Sequence, residues 1–140
     1  MPDKLVVIGG SAGSLEVITQ ILPSLLPSDS AAIILVVHRK TIPGTSFPKL
    51  LSRNSNWKVT EVEEKYHLQP GIVYTIPSDF HLLIEEDKTF SLDYSEKINF
   101  CRPSIDVTME SAAEIFKMNT MGVLLSGANN DGVNGMERIL

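Results

Sequence analysis

Three residues suited to hydrolytic chemistry stand just beyond short apolar runs in this chain: Ser11, His38 and Asp131. Ser11 lies in Gly9-Gly10-Ser11-Ala12-Gly13, which fits G-x-S-x-G. Between a strand and a helix this pattern is a nucleophile elbow: small neighbours let the backbone turn sharply, and N–H groups remain near the helix start for an oxyanion. An imidazole such as that of His38 takes a hydroxyl proton near neutral pH. The carboxylate of Asp131 can accept the other ring N–H and hold the tautomer.

Each residue also has a plainer reading. Small residues around Ser11 would equally permit a tight strand-to-helix turn with a hydroxyl cap. A histidine beside an apolar run is more often structural than basic, and Asn129-Asn130-Asp131-Gly132 is ordinary Asx-turn chemistry. Two phosphate-binding readings fail outright. G-x-G-x-x-G counted from Gly9 meets Ser11 and Ser14 where glycines belong, and Ser14-Leu15 stands where a phosphate loop needs Gly-Lys.

What favours catalysis is the set of elements that must carry the three residues. Residues 4–8 (KLVVI) and 31–37 (AAIILVV) are apolar, β-branched runs of the kind buried on both faces of a parallel sheet. Between them, Leu15, Val17, Ile18, Ile21 and Leu22 recur at helical spacing, with Ser14 as the predicted cap and Pro23 and Pro27 marking the end. Strand, helix and strand make a βαβ unit, whose two strand ends face one crevice. Residues 122–125 form a third buried-strand candidate, and Asp131 follows it.

The middle of the chain reads differently. A short helix is expected near residues 49–53 and a half-exposed strand at 58–62. Residues 72–76, 82–85 and 89–94 suggest an antiparallel meander that makes the sheet mixed. A helix follows from residue 105, with Ser104 as its predicted cap. The expected fold is α/β, a doubly wound, mainly parallel sheet with an antiparallel hairpin or meander in the middle. The last residues read as a helix start with no following strand, so residues 1–140 are expected to be one domain truncated at its C-terminus.

Composition narrows the function classes. A formal net charge of −5 supplies no basic field for nucleic acid. Apolar residues at 43% and charged residues at 21% lie in the globular range. The longest apolar run is far short of the ~20 residues of a membrane helix, and the N-terminus has no signal-peptide pattern, so a cytoplasmic protein without membrane insertion is expected. One cysteine, Cys101, excludes an internal disulfide and reads as a small apolar residue. His67 and His81 have no partner at metal-ligand spacing, so no metal is expected. His81 is expected in a turn or partly buried. Arg102 is either an anion-binding group or, more simply, an exposed or salt-bridged residue.

With these residues placed, the sequence resembles the catalytic domain of the CheB-type chemotaxis protein-glutamate methylesterases. The resemblance rests on VVIGGSAGSLE, VVHR, PGIVYTIPSDFHLLI, RPSIDV and GVLLSGANNDGVNGM, in the family's order from residue 4 to about 136. It implies a cofactor-free serine hydrolase: Ser11 the nucleophile, His38 the base, Asp131 its orienting carboxylate. It also implies oxyanion or substrate contacts at Ala12, Gly13 and Ala128. The implied substrates are γ-glutamyl methyl esters on receptor signalling helices, cleaved to glutamate and methanol, with glutamine deamidation in some members. Fused or associated methyltransferase or sensor modules are implied as further partners, and the receiver domain that many members carry is not expected in residues 1–140. Ala12 stands where the family usually has threonine, Ser14 where it has glycine, Gly127-Ala128-Asn129 where it has Gly-Met-Gly, and Arg39 where it has methionine. These departures keep open a rival reading, a catalytically weakened docking or regulatory module of a larger signalling protein.

Overall fold

The computed structural model describes residues 2–38, 47–53, 55–98, 101–125 and 130–140. Five parallel strands form one sheet in the order β3-β4-β2-β1-β7, where β1 is Lys4–Ser11, β2 Ala31–His38, β3 Lys58–Glu61, β4 Ile72–Thr75 and β7 Thr120–Leu124. The remaining strands, β5 (His81–Ile84) and β6 (Phe90–Asp93), pair antiparallel as a separate hairpin.

Strand β2 shows why the sheet is covered on both sides. Side chains alternate across a strand, so Ala32, Ile34 and Val36 enter one core while Ile33, Leu35 and Val37 enter the other. The first core is closed by the hairpin and by α3 (Ile105–Phe116), through Leu82, Ile84, Phe90, Ile105, Met109 and Phe116. The second takes Ile18 and Leu22 from α1 (Leu15–Ile21) and its following turn, with Phe47 and Leu51 from α2 (Phe47–Ser52). A last helix, α4 (Val133–Ile139), adds Met136 and Ile139 to the first core. Among the described residues no helix is long and apolar enough to cross a membrane.

The predicted doubly wound, mainly parallel sheet and its hairpin are observed, but two local expectations are corrected. Residues 72–75 do not join a meander: β4 lies between β2 and β3, parallel to both, so the main sheet is not mixed. Its residues Val73, Tyr74 and Thr75 are buried, as a strand covered on both faces requires. Ser14 occupies the N-cap position of α1 but makes no side-chain cap bond. The chain leaves β1 through a 3-10 turn at Ala12–Ser14, so Ser14 already has helical dihedrals rather than the extended ones that aim a capping hydroxyl back at the helix.

Candidate active site

The parallel register of β1 and β2 puts Ser11 directly opposite His38. Both are half-buried at the carboxyl ends of their strands. Gly9, two residues before Ser11, lets α3 approach closely, since a Cβ there would lie 2.6 Å from Ile105 Cγ2. That approach brings the start of α3 to the same rim.

Asp131 lies beyond β7, at a turn into α4, and its side chain is fully buried at 0% exposure. The neighbouring Gly132, at φ +105°, supplies the left-handed residue that this entry into α4 requires. Asp131 Oδ2 accepts from His38 Nε2 at 2.8 Å and from Ile105 N–H at 2.6 Å. Its Oδ1 accepts from Ser104 Oγ at 2.7 Å and Asp106 N–H at 3.1 Å. Burial pushes this carboxyl up, but the His38, Ile105, Ser104 and Asp106 donors outweigh it and hold it below the ordinary aspartate value. An ionised carboxylate only accepts, so His38 Nε2 carries the proton and Nδ1 keeps its lone pair.

Two helix starts exchange carboxylates here. Asp131 receives the first amides of α3, while Asp106, in the first turn of α3, accepts from Gly132 N–H at 2.9 Å and Gly135 N–H at 2.8 Å at the start of α4. Each anion sits where the unpaired N–H groups of a helix need one. Ser104 serves twice, because its hydroxyl donates to Asp131 and accepts from Val107 N–H as the cap of α3.

Cys101 Sγ lies 3.7 Å from His38 Nδ1. Burial and Asp131 push its thiol up, against a smaller opposite effect of Lys97. His38, Cys101 and Asp131 are the one group of possible metal donors clustered among the described residues. The carboxylate is committed to Nε2, whereas Cys101 faces Nδ1 on another edge of the ring, so the three do not converge on one ion.

His81 is not in a turn or partly buried, as its sequence context suggests, but heads β5 at 1% exposure. Its Nδ1 accepts from Ser104 N–H at 3.1 Å and its Nε2 donates to Glu96 O at 2.9 Å. Arg102 takes the simpler of its two readings. It donates from Nη1 to Ser95 O at 3.0 Å, approaches Asp79 at 3.6 Å, and stacks over Tyr94 with 3.9 Å to the ring centroid. Gly13 is exposed beside Ser11, where a Cβ would meet Ser11 Oγ at 3.6 Å. The side chain of Ala12, together with Ala128 and Arg39, lies outside the described residues.

Sequence reasoning missed the parts played by Asp106, Cys101 and His81. An acidic residue in a first helical turn, a lone cysteine and a histidine before a strand each have a local explanation, and their actual partners are 15 to 63 positions away.

The comparisons with known proteins point to one family. A family model described as CheB methylesterase matches residues 6–140. A putative protein-glutamate methylesterase/protein-glutamine glutaminase of Leptospira interrogans is 42% identical over 139 residues, which is 99% of this chain and 72% of that protein. The protein-glutamate methylesterase/protein-glutamine glutaminase of Thermotoga maritima is 37% identical over 139 residues, 97% of this chain but 40% of that protein. The crystal structure of the Thermotoga maritima CheB methylesterase catalytic domain superposes with a TM-score of 0.88 at 37% identity, covering 97% of this chain and 74% of that one.

Proposed function

The chain belongs to the CheB methylesterase family, and on that premise we propose that it hydrolyses γ-glutamyl methyl esters of signalling receptors in the cytoplasm, with Ser11 as nucleophile, His38 as base and Asp131 as orienting carboxylate. Glutamine deamidation, named for the relatives, is the related activity of the same site. Residues 1–140 act in this reading as one catalytic unit. The observation that carries the proposal is the pairing of Ser11 with His38 across β1 and β2, with His38 Nε2 held 2.8 Å from Asp131.

The proton path follows from the tautomer. Ser11 Oγ attacks the ester carbonyl while its proton passes to His38 Nδ1, and the imidazolium is stabilised by Asp131 through Nε2–H. Oxyanion or substrate contacts are assigned in this reading to Ala12, Gly13 and Ala128. Collapse expels methanol, which takes the proton from Nδ1. Water then attacks the acyl-enzyme with His38 again as base, freeing Ser11 and a glutamate carboxylate. General-base help is worth about 10²- to 10⁴-fold and an oxyanion donor about 10²- to 10³-fold.

The test is covalent labelling by a fluorophosphonate probe, together with methanol release from a glutamyl-methyl-ester peptide. Wild-type protein should label and turn over, Ser11→Ala should do neither, and His38→Ala should lose at least about 10²-fold. Labelling that persists in Ser11→Ala rejects the assignment. A folded wild type that neither labels nor turns over supports the docking-module reading instead.

A further inference from the structure

We propose that His81 is a positioning residue for the hydrolysis, acting through Ser104 to fix the carboxylate that holds His38; the proposal rests on the esterase reading above. A continuous chain of hydrogen bonds carries it. His81 Nδ1 accepts from Ser104 N–H at 3.1 Å, Ser104 Oγ donates to Asp131 Oδ1 at 2.7 Å, and Asp131 Oδ2 accepts from His38 Nε2 at 2.8 Å.

The start of α3 is what aims Asp131, because the hydroxyl of Ser104 and the amides of Ile105 and Asp106 supply its other contacts. Helix α3 is tied to β5 at three points along one face. Thr108 Oγ1 donates to Leu82 O at 2.8 Å, Ser111 Oγ accepts from Ile84 N–H at 3.1 Å, and Ser104 N–H donates to His81. The first two lie one and two turns into the helix. His81 acts at its N-cap, Ser104, where a small tilt displaces the donors to Asp131.

A histidine suits this place because it offers one acceptor and one donor in a rigid ring. The Ser104 N–H fixes Nδ1 as acceptor, so Nε2–H is free for Glu96 O. The ring thereby ties together Glu96 and Ser104, the ends of the stretch that carries Cys101 to His38. An apolar side chain of equal size would leave the N–H of buried Ser104 without its partner.

The experiment compares His81→Asn with His81→Gln in the whole chain. The Asn carbonyl falls near the place of Nδ1 and still accepts from Ser104 N–H. The Gln amide reaches toward Nε2 and still donates to Glu96 O, but leaves Ser104 N–H unmet. Each variant breaks one of two hydrogen bonds, so a purely structural role lowers both melting temperatures without separating them in kcat. We expect kcat for a glutamyl-methyl-ester peptide to fall roughly 10- to 100-fold in His81→Gln and to stay within about 3-fold in His81→Asn, with KM unchanged in both.

An independent readout needs no turnover. The Nε2–H resonance of His38, followed by NMR of protein labelled with ¹⁵N-histidine, should shift or lose exchange protection in His81→Gln and hold in His81→Asn. Equal behaviour of the two variants, or an unmoved His38 resonance in folded His81→Gln, overturns the proposal. If His81→Gln does not fold, Ser104→Ala removes the next link and must move the same resonance; an unmoved one is equally fatal. A wild type without esterase activity rejects the esterase reading, while the resonance still decides the link from His81 to Asp131.

Discussion

Replacing Asp131 by Asn separates charge from shape at the centre of the site. The carboxylate accepts from His38, Ile105, Ser104 and Asp106, and an amide can accept at only one of its two ends. With the amide NH₂ on the His38 side, Ile105 N–H is orphaned and the imidazole must reverse its tautomer. With the oxygen there, His38 and Ile105 keep their acceptor, Ser104 Oγ can turn to accept, and only the longer bond from Asp106 N–H is lost. The second arrangement costs less, so the variant should keep the native tautomer. Catalysis then loses only the extra strength of a charged over a neutral hydrogen bond to the imidazolium, about 1–2 kcal/mol, or roughly 5- to 30-fold in kcat.

Stability should fall by about 2–4 kcal/mol from one orphaned N–H and the missing anion at the start of α3, which a domain of ordinary stability survives. Urea denaturation and methanol-release kinetics on the same preparation measure both. A fall of about 10⁴-fold would mean that the tautomer had reversed, and an unchanged kcat would remove Asp131 from the proton path. Either result refutes the reasoning. The pH dependence adds a sign. Asp131 is more acidic folded than unfolded, so its contribution is complete above the ordinary value of 3.8 and disappears as pH falls through the lower folded value. The stability gap between wild type and Asp131→Asn should therefore narrow on acidification; a gap that widens contradicts it.

Two further outcomes are expected. Gly9→Ala should lower the urea midpoint by the equivalent of about 1–3 kcal/mol, because the new methyl would meet buried Ile105 at 2.6 Å, and Ile105 is itself pinned by its bond to Asp131; an unchanged midpoint would show that α3 can shift freely. Iodoacetamide should modify Cys101 more slowly than free cysteine near pH 7.5, since burial and Asp131 keep its thiol protonated, and the added group beside His38 Nδ1 should abolish ester hydrolysis. Mass spectrometry against residual activity decides it: fast labelling, or full activity after complete labelling, contradicts the local geometry.

Strands β1 and β2 and the rim they share were legible because buried strands leave unbroken apolar runs, and because a βαβ unit brings successive strand ends to one edge; β7, expected to be buried, is instead a half-buried edge strand. Ser11 and His38 follow from that rule alone. Strand β4 was misplaced since two short strands follow it across brief polar turns, and local pattern cannot say that its hydrogen-bond partners are β2 and β3. Asp131 was read as an acceptor for the His38 ring, and that hydrogen bond is present, but its surroundings were not legible. Its loop looks like a solvated turn, and only the approach of α3 turns it into a buried anion cradle. Ser104 was legible as a cap, whereas its second bond, to a residue 27 positions on, leaves no trace in local spacing.

Because Asp131 seals the opening turn of one helix while Asp106 seals that of the other, this aspartate would be retained for foldedness even in a copy that had lost all turnover. Finding it in a related chain is therefore weak testimony of an esterase. The diagnostic weight falls on the hydroxyl and the imidazole, whose removal the scaffold should tolerate and the reaction should not.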